Sequence, residues 1–184
     1  MAAAVRSRDS ALIDAIEALA PVNFDGRVWS IAREGRDPLQ VSASGGRWDD
    51  GTFDVLYTSA DRQGAVEEMR FHLMRGQPVL PSRISFKLLE LRVQMDQALR
   101  LADLEALAAL GLDASTFGRL SWQFKSDEYL RTQQIGEVAH FLDFDGLIVP
   151  SARYQCLNMV LFGDRIGPEA LSVIRDHGPV PWDG

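Results

Sequence analysis

Cysteine is nearly missing from this chain: among its 184 residues only Cys156 carries a thiol. No disulfide can close within it, and no zinc site can be built on thiolates. A domain of this length buries roughly 70% of its unfolded surface and folds without either staple. The expected setting is a reducing cytoplasm. Long apolar runs are missing as well, since nothing approaches the ~20 residues of a membrane span. Met1-Ala2-Ala3-Ala4-Val5-Arg6 is too short, and too soon broken by charge, for a secretory signal. Positive charge is scarce: the net charge is −7 and the isoelectric point about 4.9. Direct binding of DNA or RNA needs a basic footprint that this balance lacks, whereas a basic protein partner remains compatible.

The three histidines, His72, His140 and His177, show no metal-ligand spacing, so no metal is expected. Residues 34–51 are rich in glycine but contain neither the Gly-Lys-Ser/Thr of a P-loop nor the Gly-x-Gly-x-x-Gly of a dinucleotide-binding turn. No repeat, low-complexity run or linker interrupts the chain, which reads as one domain over 1–184.

What is present is an ordinary globular composition, 46% hydrophobic and 24% charged, whose apolar residues alternate between helical and strand spacing. Leu12, Ile13, Ile16 and Leu19 predict a helix over about 10–20, with Asp9 or Ser10 as its cap and Pro21 as its end. Arg27–Ala32 predicts a short strand, and 34–51 a long shaped loop. Val55–Thr58 predicts a second strand and about 62–74 a helix capped by Ser59 or Asp61, stopped by Gly76 and Pro78. Alternation from Arg83 to Val93 predicts a third strand. Helices are expected over 103–111 and 127–142, buried strands over 146–150 and 158–162, and a weak helix near 168–176 within a tail from 163. The fold class is α+β.

Gly46-Arg47-Trp48 lies in the loop, and Val55-Leu56-Tyr57 ends the second strand. Ala65 and Glu68 fall on the following helix. Val149-Pro150-Ser151-Ala152-Arg153 makes a turn before a strand starting near Asn158. With Gly35-Arg36-Asp37-Pro38-Leu39, these five matches in order over about 28–162 resemble the RES family, named for its arginine, glutamate and serine. The resemblance implies an ADP-ribosyltransferase-like fold, two small bent sheets flanked by helices with NAD in the cleft between them. It also implies the toxin half of a toxin–antitoxin pair. An Xre-like antitoxin protein would cover the cleft, and ADP-ribose from NAD would pass to a target protein. Water or phosphate as acceptor, with depletion of cellular NAD, is the alternative. An inactive antitoxin-binding module is a further one.

Breaking the nicotinamide–ribose bond builds positive charge on the ribose, which a neighbouring carboxylate stabilises. By analogy with ADP-ribosyltransferases Glu68 takes that part, against the simpler reading of a solvated helix face beside Glu67 and Arg70. Tyr57 is expected to be the platform for the nicotinamide ring, against the simpler reading of a strand residue with a packed ring. Arg47 offers the pyrophosphate a guanidinium fork, unless it only pairs with Asp49 or Asp50. The glycines before Arg47 would let backbone amides reach the same phosphates. Ser151 is placed to bond the ribose or to hold Glu68, or merely to shape its turn. Asn158 is read as backbone support, His72 as a surface or supporting residue, and Cys156 as a small buried hydrophobe. The sequence departs from the family pattern at Ser30, where an arginine often follows the first-strand aromatic, here Trp29. Arg33, three residues on, is the substitute proposed for it.

Overall fold

The structure is a computed structural model that describes residues 7–74, 83–118 and 125–183. The predicted stops Gly76 and Pro78 and the segment Met1–Arg6 lie outside the described residues. In chain order the elements are α1 (Ser10–Glu17), β1 (Val22–Arg33), β2 (Val55–Ser59), α2 (Arg62–Leu73), β3 (Phe86–Arg100), α3 (Leu104–Ala109), α4 (Lys125–Phe141), β4 (Gly146–Pro150), β5 (Leu157–Phe162) and β6 (Leu171–Pro179). Among the described residues no helix is long and apolar enough to cross a membrane.

The helix starts follow local chemistry. Asp9 accepts from the amides of Ala11 and Leu12, Asp61 from Gly64 and Asp103 from Ala106, so each first turn has an orphan donor satisfied. Helix α1 stops at Glu17, short of the expected Ala20.

The strands form one bent system. The long β1 and β3 pair antiparallel from Val22 opposite Ala98 to Arg33 opposite Phe86. β1 outruns the predicted 27–32 at both ends, and β3 starts at Phe86, later than the predicted Arg83, but runs on past Val93 to Arg100, because each supplies the other's ladder. Strands β2, β5 and β4 form an antiparallel half with Ser59 opposite Asn158 and Val149 opposite the same Asn158. The halves meet twice: parallel pairing joins Ala98–Arg100 of β3 to Gly146–Ile148 of β4, and a single pair, Trp29 with Ser59, joins β1 to β2. Strand β6 lies outside this ring on β3.

Side chains from all five ring strands fill its interior: Val28, Leu56, Leu91, Ile148 and Leu161. The opposite face of β2, β5 and β4 packs with Leu12, Ile16, Ile135 and Val138 from α1 and α4. Helix α2 covers β1, where Val66 meets Trp29, Ile31 and Leu88. The α+β class holds, with two bent three-stranded halves and flanking helices. The expected tail helix does not form. Pro168–Ala170 is a 3-10 turn, and Leu171–Pro179 is β6, with β-branched Val173 and Ile174 on the open edge of the sheet.

Candidate active site

Glu68 lies at the seam between the two halves. Its helix starts directly after β2, and Ala65, Glu68, Met69 and His72 recur on the side that faces a cleft beside β1 and β2. Two adjoining cavities, of about 300 Å³ and about 100 Å³, share Tyr57, Glu68, His72 and Asn158 as walls. The larger is bounded by Trp29, Ser30 and Ile31 of β1 and by Ser42 and Leu56. The smaller adds Arg47, Phe71, Tyr129 and Arg153. A cavity of about 340 Å³ between α1 and α4 holds none of the predicted site residues.

The Glu68 carboxylate is oriented by two donors on one oxygen. Ser151 Oγ donates to Oε1 at 2.6 Å and Asn158 Nδ2 donates to the same atom at 3.0 Å. Ser151 stands immediately after β4, and its Oγ also accepts from the amides of Arg153 (3.1 Å) and Tyr154 (3.2 Å). Of the three readings open for Ser151, the geometry supports two at once: it shapes its turn and holds Glu68. Asn158 does more than backbone support, because its amide donates directly to the Glu68 carboxylate. Its Oδ1 is buried and has no hydrogen-bond partner among the described residues. Glu67, one residue before Glu68, pairs instead along the outer helix face with Gln63 (2.9 Å) and Arg70 (3.8 Å).

Arg47 reaches the smaller cavity, with its guanidinium carbon 4.7 Å from the Tyr129 ring centre and 4.9 Å from that of Phe117. Arg153, the last residue of the Val149–Arg153 motif, joins it there, stacked 3.4 Å from the centre of Phe71 with Nη1 donating to the Gly118 carbonyl. Two guanidiniums on one cavity suit an anion with several oxygens. The signal for Arg153 was its place beside Ser151, two residues from a predicted site residue.

Two expectations need correction. The amides of Gly45 and Gly46 do not face the cleft, because both donate to the buried carboxylate of Asp49 at 2.7 and 2.8 Å. Asp49 thus holds the glycines and the Tyr57 hydroxyl, which donates to it at 2.6 Å. Burial first, and the Asp49 charge second, push the Tyr57 phenol well above its ordinary range, so it stays a donor. Tyr57 presents its ring to the cavities while its hydroxyl belongs to the loop. Second, Arg33 is exposed and lines neither cavity, whereas Ser30 is buried on the cleft wall. Arg33 is the last residue of β1, beyond the Trp29–Ile31 stretch that walls the cleft. Cys156 is half-buried against the Ser59 hydroxyl at 3.4 Å, and burial raises its thiol above the usual range.

No curated protein matches the sequence. Among solved structures, the crystal structure of the M. tuberculosis MbcT–MbcA toxin–antitoxin complex contains a chain with this fold. The TM-score is 0.77 at 20% identity, over 94% of this chain and 93% of that one. The family model of the RES domain matches residues 27–183, which takes in β1 from Arg27 on, the Arg47 loop, Glu68 and the Ser151 turn, and the chain therefore belongs to the RES domain family.

Proposed function

We propose that this protein is the toxin of a toxin–antitoxin pair and that it cleaves the nicotinamide–ribose bond of NAD. The observation that carries the reading is the carboxylate of Glu68, held by Ser151 and Asn158 where two cavities join. One cavity is walled by rings and hydroxyls, and the other by two guanidiniums. Such a site suits a substrate with a flat ring at one end and a pyrophosphate near its middle. As the glycosidic bond lengthens, positive charge grows on the ribose, and a carboxylate already fixed in place lowers that barrier without reorganising. Its second oxygen, Oε2, remains to orient the acceptor. Metal plays no part in this scheme.

The acceptor we carry forward is a side chain of a target protein, the product being mono-ADP-ribosylated protein. Ser30 motivates this choice, since it leaves the cleft wall without the arginine expected from the family pattern. Phosphate or water is the second reading. In it Glu68 Oε2 orients a small acceptor in place of a protein side chain, with Arg47 and Arg153 still on the pyrophosphate. The antitoxin is expected to be an Xre-like protein that covers the cleft in the cytoplasm. Its pairing with this chain is supported by the likeness to a chain of a toxin–antitoxin complex.

The test uses labelled NAD with the purified chain, with and without phosphate and a cell lysate. Glu68→Gln is expected to lower NAD cleavage by ~100-fold or more, with Glu67→Ala near wild type. Label on one protein band supports ADP-ribosyl transfer, and label only in small molecules supports the second acceptor. Full activity in Glu68→Gln removes the proposal.

A further inference from the structure

The loop that carries Arg47 is organised by an anion of its own. Asp49 is fully buried. Its Oδ2 accepts from Gly45 N at 2.7 Å, and its Oδ1 accepts from Gly46 N at 2.8 Å and from Tyr57 Oη at 2.6 Å. Tyr57 Oη in turn accepts from Trp48 N at 3.0 Å. Consecutive amides converge on one carboxylate because Gly45 takes the left-handed conformation, φ +71°, which turns its N–H toward the same side as the next. The fit leaves no room for a side chain at the second glycine. A Cβ on Gly46 would lie 2.5 Å from Tyr57 Oη and 2.9 Å from Asp49 Oδ1.

Asp49 is thus the node between loop and sheet. Remove it and Gly45, Gly46 and Tyr57 keep three half-buried donors that have lost their acceptor. From the other side Gln133 of α4 donates to the Gly46 carbonyl at 2.8 Å. Between these two grips the chain emerges at Arg47. Asp49 lines neither cavity, so it acts through Arg47, with Tyr57 as the anchor of the loop.

We infer that Asp49 is the positioning residue of this cleft: its buried carboxylate ties the Gly45–Trp48 loop to Tyr57 and thereby fixes where the Arg47 guanidinium stands. The kinetic form of the inference rests on the NAD reading above; the structural form does not. A carboxylate is required because an amide has only one acceptor oxygen. In Asp49→Asn the Nδ2 donor would face the Gly45 N–H.

The experiment compares wild type with Asp49→Asn, Arg47→Ala and the double variant in NAD consumption. Asp49→Asn is expected to raise KM by roughly ten- to hundred-fold with kcat within about threefold. The double variant should be no worse than Arg47→Ala, because both act on one contact. A purely structural loss would lower the folded fraction and so reduce kcat at constant KM. A second readout needs no NAD: phenol ionisation followed by ultraviolet absorbance, with Tyr57→Phe subtracted to remove Tyr129 and Tyr154. The high Tyr57 ionisation should move down in Asp49→Asn.

An unchanged KM in Asp49→Asn, with a raised KM in Arg47→Ala, overturns the inference. If the wild type leaves NAD intact, the NAD reading fails by itself and the phenol titration judges Asp49: an unmoved Tyr57 overturns it. If Asp49→Asn does not fold, Tyr57→Phe takes its place, because it cuts the tie to β2 while leaving the two glycine bonds. A KM rise of about threefold or more is then expected, and an unchanged KM overturns the inference.

Discussion

Gly136→Ala is a small change with a large expected cost. Gly136 sits in α4, and a Cβ built there would stand 1.9 Å from the carbonyl oxygen of Trp48. Carbon and oxygen need about 3.4 Å, so helix and loop must part by about 1.5 Å. Neither has slack. Trp48 is 2% exposed, and Ile135, Val138 and Ala139 on α4 are buried around the contact. Overpacking costs about 1–3 kcal/mol, and a clash with backbone belongs at the upper end. The better helix propensity of alanine returns about 1 kcal/mol, leaving a net loss of about 2 kcal/mol. In a chain of this size that lowers Tm by about 4–8 °C. Thermal unfolding followed by circular dichroism measures it. The same displacement moves Gln133, one turn earlier, off the Gly46 carbonyl, so KM for NAD should rise in parallel. A variant as stable as wild type would refute the reasoning, because it would mean that the helix and the loop part without loss.

Ser151→Ala and Asn158→Ala each remove one donor from Glu68 Oε1 and are expected to lower kcat by about tenfold with little change in KM; wild-type kcat in both would end the orienting role assigned to them. Arg33→Ala should leave NAD consumption within about twofold of wild type, whereas Ser30→Arg should alter it by lining the cleft wall with a cation; a crippled Arg33→Ala would restore Arg33 to the site. Glu90 is held below the usual carboxylate range first by His177 (3.0 Å) and then by Arg27 (3.0 Å). Because its folded pKa is lowered, the stability it contributes is present above the unfolded value and is lost as pH falls through the folded one. Glu90→Gln should therefore flatten the acid limb of a Tm–pH profile below about pH 4.5, and an unchanged limb would contradict the pairing.

How far the sequence could be read depended on whether a signal was local. The starts of α1, α2 and α3 were readable because Asp9, Asp61 and Asp103 lie within three residues of the amides they cap. The ends of β1 and β3 were not, since each strand continues only where the other, some sixty residues away in the chain, provides a ladder. Strand β6 was mistaken for a helix because its residues are mostly exposed and show no alternation, and only its pairing to β3 makes it a strand. Glu68, Tyr57, Arg47 and Ser151 were readable from the order of their motifs, and the cleft brings all four together. Asn158 stands in the same order of motifs, but nothing in its own stretch of sequence says that its amide turns to Glu68 as the Ser151 hydroxyl does. The glycine amides were assigned to substrate because a Gly-Gly turn collects any nearby anion, and the nearest one, Asp49, is three residues from Gly46.

The two halves of the sheet are sewn together unequally. At the β3–β4 corner three residue pairs hold, but at the β1–β2 corner one pair, Trp29 with Ser59, does all the joining. The cleft opens along that thin stitch, with Trp29, Ser30 and Ser59 in its wall. A molecule seated there would touch residues of both halves and add contacts across a corner where the ladders share one residue pair. Occupancy and rigidity are then coupled: a ligand at a hundred times its Kd would add about 2.7 kcal/mol to stability. A partner protein that plugs the groove would brace the same line from outside. Inhibition and protection from unfolding would thus be two readings of one event, the closing of a seam that the chain by itself leaves nearly open.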